Sequence, residues 1–330
     1  MKKKINILLV IGGMNNEHQV SLNGGEIISN SLSRKKYNLS VAVITKNGKW
    51  KIFEKCSNWN RKKIPDKKSL NISRAIEKIL KLNIDTAYIN IHGKNGEDGT
   101  LQGFFTTLGI NYTGSGILSS ALAMNKKLCN QIFSINSLNV PWGRLISVKE
   151  WKNGRKHITS ELLKKPGIPM VIKPNEEGSS IGVDIVFNKN ELESKISKIF
   201  REHTSLYTEE FIKGTEVTCG VIYKNKKFIP LPPTEIVPLK GVFFDYTAKY
   251  EVGATDEITP ARINIELTRK VQKIALIAHK LLGCGSQSRT DMIITGTGKK
   301  KKIFVLEINT IPGMTETSLL PQQAKSAGIS

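Results

Sequence analysis

Residues 5–11 are apolar at every position but Asn6, and the run stops at Gly12-Gly13. A strand without polar alternation has to be covered on both faces, as happens where helical crossovers flank a parallel sheet. The next residues supply such a crossover: 20–32 read as a helix and 39–44 as a second apolar strand, a βαβ unit. A helical pattern at 72–82 leads to a strand at 86–91, which runs into His92-Gly93-Lys94-Asn95-Gly96-Glu97-Asp98-Gly99. An open α/β domain over residues 1–114 is expected.

Beyond it the pattern changes. A helix at 122–135, strands at 145–148, 169–173, 183–187 and 206–211, and a helix at 190–200 predict a small α+β unit over 115–209. The last unit, 210–330, has paired strands at 216–223 and 227–231, a helix over 261–282, and strands at 288–294 and 303–309. An excursion rich in Pro, Gly and Asp reaches Pro260, too long for a turn and expected to be a lid or binding loop. The fold class is therefore α/β and α+β, multidomain.

Lys+Arg 50 against Asp+Glu 28 give a net charge of +22, which raises nucleic acid as a partner. Only nine of the basic residues are Arg, and the lysines sit in short surface-like runs without interleaved aromatics. A nucleic-acid groove needs stacking rings or a coherent basic face, so no nucleic-acid partner is expected, although the field suits a phosphorylated metabolite. No apolar run reaches membrane-spanning length and no signal-peptide pattern opens the chain, so a cytoplasmic protein without membrane insertion is expected. Cys56, Cys129, Cys219 and Cys284 show no metal spacing and are expected to be free thiols.

Asp291 lies on one C-terminal strand, and Glu307 and Asn309, two apart, share a face of the other. Two carboxylates and an amide are hard oxygen ligands suited to Mg²⁺, although the same residues would also serve two solvent-facing strands. Lys173, followed by Pro174 to Gly182 with its glycines and hydroxyls, can cover a polyphosphate, or be an ordinary polar turn. Lys126 adds a second cation, and Glu209-Glu210-Phe211-Ile212 can edge a base pocket, with Glu216 a candidate for ribose hydroxyls. Either glutamate could instead be salt-bridged at a strand edge. Glu17 follows the first strand and His92 the later one, the ends of an open sheet where ligand crevices form. Glu17 would bind a substrate ammonium, or merely cap its helix. The turn from Asn309 to Thr315, with Ser318-Leu319 beyond it, can receive a carboxylate, and Arg289 can stabilise an oxyanion or a structural ion pair.

Taken in order, these strings resemble the D-alanine–D-alanine ligase family of the ATP-grasp superfamily over essentially the whole chain. The matching segments are Gly12-Gly13 through Glu17, His92-Gly93 with Gly96-Glu97-Asp98-Gly99, Tyr112-Thr113-Gly114-Ser115-Gly116, Lys173-Pro174 with Glu177-Gly178-Ser179-Ser180, Asp245-Tyr246 with Lys249-Tyr250, Arg289-Thr290-Asp291, Glu307-Ile308-Asn309-Thr310, and Pro312-Gly313-Met314-Thr315.

The resemblance implies an ATP-grasp fold behind an N-terminal open α/β domain, with ATP as co-substrate and Mg²⁺ or Mn²⁺, two ions, at Asp291, Glu307 and Asn309. It implies nucleotide contacts from Lys126, Lys173, Glu209, Glu210, Ile212, Glu216 and Lys249. Two D-alanine molecules would be joined through a D-alanyl phosphate, for peptidoglycan precursor synthesis. Glu17 and His92 would serve the first, Ser318 and Leu319 the carboxylate of the second. Glu17, Ser179 and Tyr250 would form the organising network, and Arg289 with the Gly313 backbone the oxyanion site. Tyr250 beside Lys249 resembles the dipeptide-forming type rather than ligases that use D-lactate or D-serine. A homodimer is likewise implied. Met14-Asn15-Asn16 departs from the family's small, Ser-containing turn, and Asn125 replaces an acidic residue before the nucleotide lysine. The chain stops at Ser330, about where the family continues into a final helix.

Overall fold

The computed structural model describes residues 3–57, 59–60, 68–178, 181–238 and 255–329. They form three sheets. The first runs β3-β2-β1-β4-β5: β1 (Ile5–Gly12), β2 (Tyr37–Ile44), β4 (Thr86–Ile89) and β5 (Asn111–Tyr112) are parallel, and β3 (Trp50–Phe53) pairs antiparallel to β2. Leu8 to Ile11 are fully buried, as an apolar run between two helical layers requires. Helix α1 (His18–Ser31) settles closely on β1 because it carries Gly24 and Gly25 there; a Cβ on Gly25 would stand 2.6 Å from Ile11 Cγ2. Helices α2 (Ile72–Lys81) and α3 (Thr100–Thr107) complete this unit. Neither β3 nor α3 is anticipated by the sequence reading.

The single helix expected at 122–135 is two, α4 (Ile117–Met124) and α5 (Lys126–Ile135). Asn125 is extended between them, and its side chain accepts from Leu128 N at 3.0 Å, an N-cap that starts the second helix. The second sheet is antiparallel, in the order β6-β9-β7-β8: β6 (Gly143–Ser147), β9 (Ser205–Glu210), β7 (Met170–Pro174) and β8 (Asp184–Val186). Its back is covered by α6 (Val148–Lys164), unforeseen from sequence, and α7 (Lys189–Ile199), over Met170, Ile172 and Leu206. Alternation then turns Val171, Lys173 and Glu209 to the opposite face.

The third sheet, β13-β12-β10-β14-β15 with β11 on β10, comprises β10 (Thr215–Lys224), β11 (Lys227–Pro230), β12 (Thr234–Pro238), β13 (Thr255–Ile258), β14 (Gln287–Thr295) and β15 (Lys302–Asn309). The long excursion thus begins and ends in two paired strands, β12 and β13, instead of being loop throughout. The following helix, α8 (Ile265–Leu281), starts at its Asn264 cap, four residues later than expected. It packs with α5 against Val217, Cys219, Met292 and Val305. A final helix, α9 (Leu319–Ser326), is anchored by buried Gln323, which accepts from Gly220 N at 2.8 Å and donates to Thr218 O and Thr234 Oγ1 at 3.0 Å.

Candidate active site

The ends of β1 and β4 are tied by one buried serine. Ser21 Oγ accepts from Gly12 N at 2.8 Å and donates to Asn90 O at 2.5 Å, while Asn90 Nδ2 returns a bond to Ser21 O. Gly12 has φ +91°, and a Cβ there would lie 2.2 Å from Ile44 O, so the turn demands glycine. Asn15, in the segment that departs from the family pattern, donates from Nδ2 to His92 O at 2.6 Å and accepts from Glu17 N at 3.0 Å. The two loops are therefore stapled together, with Glu17 and His92 side by side and each buried.

His92 Nδ1 lies 3.0 Å from Ile311 O. A carbonyl only accepts, so Nδ1 carries the proton. Nε2, buried and without a hydrogen bond among the described residues, is then an acceptor that lines the cleft. Burial, opposed by Glu17, lowers the His92 pKa and keeps this neutral form. Glu97, not singled out as a site residue in the sequence, closes the corner. Its carboxylate accepts from Gly93 N at 2.7 Å and from Ile311 N at 3.1 Å. Burial first, and then Glu17, push its pKa up to about 8.

A second cleft runs between the second and third sheets. Lys173, Glu209, Glu210, Ile212 and Glu216 line it, together with Asp291 and Glu307. Lys173 Nζ and Glu209 Oε2 are 2.6 Å apart, with side chains only 7% and 4% exposed. Each side chain gives the other a close partner where little water reaches. Lys126 does not line this wall. It is buried on the far side of Glu307, beside Glu97, Gly178 and Asn309, and its Nζ donates to Glu177 O. Burial lowers its pKa, an effect that Glu307 chiefly opposes. The expected loop is docked there: Lys126 N donates to Asn175 O at 3.0 Å, and a Cβ on Gly178 would stand 3.5 Å from Glu17 Oε2. Ser179, Lys249 and Tyr250 lie outside the described residues.

Asp291 and Glu307 are direct partners across β14 and β15, and Arg289 faces Asn309. The pairing skips Leu306: Met292 is opposite Val305 while Asp291 is opposite Glu307. This bulge lets Val305 and Ile308 both enter the apolar core, leaving Glu307 and Asn309 on the Asp291 face. Arg289 holds Asp291 through Nε and Nη2 at 3.0 and 2.9 Å, and Thr218 Oγ1 donates to it at 2.6 Å. Among the described residues no three His, Cys, Asp or Glu gather as a metal cluster. The candidate set is two carboxylates and an amide, all hard oxygen donors, a composition that fits Mg²⁺ or Mn²⁺ with waters and phosphate oxygens completing the shell.

A cleft of about 610 Å³ joins these parts. It is lined by Glu17, His92, Arg289, Gly313, Ser318 and Leu319, and also by Glu307 and Asn309. Ser318 caps the turn before α9, accepting from Thr315 N at 3.0 Å, and a Cβ on Gly313 would lie 2.6 Å from Ser318 Oγ. Two further linings were not anticipated: the α1 face bearing Asn23, Ile27 and Asn30, and Glu257 on β13. The helical face was legible in its spacing of four and three. Glu257 was not, because it belongs to a strand hidden in the excursion.

Two family models match the chain, "D-ala D-ala ligase N-terminus" over residues 6–115 and "D-ala D-ala ligase C-terminus" over residues 133–330. The D-alanine–D-alanine ligase of Leptospira interrogans is 40% identical over 337 residues, covering 98% of this chain and 94% of its own. Among solved structures, the VanG D-Ala:D-Ser ligase from Enterococcus faecalis superposes with a TM-score of 0.85 at 32% identity, covering 99% of this chain and 96% of that one. The D-alanine–D-alanine ligase from Bacillus anthracis does so with a TM-score of 0.76 at 34% identity, over 98% and 92%.

Proposed function

The chain belongs to the D-ala D-ala ligase family, and from that premise we propose how its two clefts divide the work. The protein is an ATP-dependent ligase on an ATP-grasp fold that joins two D-alanines into the dipeptide used for peptidoglycan precursors. The observation that carries the division is Glu307, which stands in the wall of both clefts. A terminal phosphate in one and an amino-acid carboxylate in the other would meet beside it.

In the narrow cleft Lys173 and, from the far side of Glu307, Lys126 balance the polyphosphate charge. Glu209, Glu210 and Ile212 edge the base, Glu216 takes a ribose hydroxyl, and Lys249 reaches the phosphates from the excursion. In the wide cleft Glu17 receives the first D-alanine's ammonium, and the His92 Nε2 lone pair faces the same molecule. Its carboxylate oxygen then attacks the γ-phosphorus, the bridge to ADP breaks, and an acyl phosphate forms. Asp291, Glu307 and Asn309 would hold Mg²⁺ or Mn²⁺, two ions in all, whose chemistry is to neutralise crowded phosphate oxygens.

The second D-alanine places its carboxylate at Ser318 and Leu319, where the start of α9 presents N–H groups. Its neutral amine attacks the acyl carbonyl, Arg289 and the Gly313 N–H stabilise the oxyanion, and phosphate leaves. Pinning both partners converts a slow encounter into a local step, while Ser179, Tyr250 and the excursion organise the sites and exclude water. Purified protein with ATP, Mg²⁺ and D-alanine should form ADP, phosphate and D-alanyl-D-alanine in equal amounts; ATP turnover without dipeptide would contradict this reading. The VanG-like backbone favours one alternative, D-serine at the second position. Competition between D-alanine, D-serine and D-lactate, resolved by product mass, decides between them.

The same reading divides the chain into domains at 1–114, 115–209 and 210–330, in a cytoplasmic homodimer. Light scattering of the purified protein tests the assembly.

A further inference from the structure

We propose that Glu257 accepts the proton which the second amino acid's ammonium must lose before its nitrogen can attack. This rests on the ligase reading and deepens it, because phosphorylation of the first substrate leaves that proton without an assigned destination.

Glu257 is placed for the task from two sides. Its Oε2 accepts from Gln322 Nε2 at 2.7 Å, and the same Nε2 donates to Thr317 O at 2.9 Å. Gln322 N in turn lies 3.3 Å from Ser318 O, so the carboxylate is fastened to the turn that holds the second substrate's acid end. Glu257 also feels the charge of Arg289, which lines the same cleft. Glu257, Arg289 and Ser318 line the same cleft, so an α-amino acid seated there with its carboxylate at Ser318 has its nitrogen facing a wall that includes Glu257. Gln322 occupies one oxygen of Glu257, and the other takes no hydrogen bond among the described residues.

The electrostatics agree. Burial raises the Glu257 pKa, the direction that makes a carboxylate a better proton acceptor, while Gln322 and Arg289 oppose the rise. The charged or titratable groups sharing its cleft are Arg289, Glu307, Glu316, Glu17, Glu26 and His92. Among the described residues that line it only Arg289 is cationic at neutral pH, so these carboxylates attract an arriving ammonium in a molecule whose net charge is +22.

The ammonium N–H bond breaks and its proton goes to Glu257, giving a neutral amine and a carboxylic acid. The amine nitrogen forms its bond to the acyl carbon. When the tetrahedral adduct collapses, the C–O bond to phosphate breaks and the remaining extra proton on nitrogen leaves with phosphate. Glu257 then returns its proton to solvent as product departs.

The test compares two nucleophiles on one variant. Glu257→Gln keeps the bond-forming shape but cannot accept a proton. Hydroxylamine, already neutral at pH 7, traps the same acyl phosphate as a hydroxamate without needing a base. The expected result for E257Q is a dipeptide kcat/KM for the second D-alanine lower by about 100-fold or more, with hydroxamate formation at the wild-type rate. The acidic limb of the dipeptide pH profile should disappear, and Glu257→Asp should restore part of the rate. A parallel loss with both nucleophiles, or none with either, overturns the assignment. Wild-type protein forming neither product would overturn the ligase reading and this inference together.

Discussion

Asn125 shows how a single amide can decide a local structure that an acid could not. It caps α5 and donates from Nδ2 to Glu176 Oε1 at 2.6 Å. An aspartate would keep the cap but set two carboxylates against each other. Asn125→Asp should therefore lower stability by about 1 kcal/mol at pH 7, with the loss recovered in N125D/E176Q; chemical denaturation of the four proteins measures this. Glu97 makes the opposite bargain with water. Its folded pKa of about 8 exceeds the ordinary 4.5, so the folded state holds a proton that the unfolded chain releases between those values. Its contribution is complete below the unfolded pKa and is lost as pH rises through about 8. Glu97→Gln should flatten the fall in stability between pH 5 and 8, as read from denaturant midpoints at each pH. Neither effect is visible in a linear string, since both depend on surroundings brought from elsewhere: Glu176 for Asn125, and burial first, then Glu17, for Glu97.

At the scale of elements, what could be read in advance follows burial. Strands with continuous or alternating apolar residues, such as β1 and β14, were plain. Helix α6 was not, because its buried residues, Trp151, Ile158 and Leu162, are interrupted by non-helical Gly154 amid lysines. Strands β12 and β13 were hidden by their prolines and by the excursion that parts them. The expected face for Glu307 and Asn309 was right for a reason that alternation alone does not contain. Counting twos from Val305 sends Glu307 into the core, and the extra residue Leu306 corrects the phase. Deleting Leu306 should remove the bulge while regular alternation keeps Val305 and Ile308 inward and Glu307 and Asn309 on the Asp291 face, so ATP should still stabilise the variant, and Leu306→Ala keeps the bulge itself. Calorimetry and ATP-dependent stabilisation of the two variants would separate phase from packing. If the deletion mutant lost ATP-dependent stabilisation while Leu306→Ala kept it, strand phase alone would not be what aims these groups.

For the molecule as a whole, the site is a product of three sheets rather than of any one. Charge alone would have suggested a polyanion partner, yet among the described residues lining the wide cleft five are Glu and one is Arg. Its ligands should accordingly stabilise the protein only in combination with the narrow cleft: ATP at 100 times its Kd adds about 2.7 kcal/mol by mass action. Adding D-alanine to the ATP-loaded protein should raise the melting temperature further, while D-alanine alone raises it little. Equal shifts from D-alanine with and without nucleotide would show that the clefts do not communicate.

Both backbone polar groups of one residue matter here. Ile311 gives its N–H to Glu97 and its carbonyl to His92, and its side chain is packed in the core of the first sheet. The third sheet is thus bolted to the first through a plug inserted at the tail of β15. Whatever breathing admits a nucleotide cannot unseat that plug without dismantling the corner that holds the amino acid. At that corner the first and third sheets therefore serve as a single anvil.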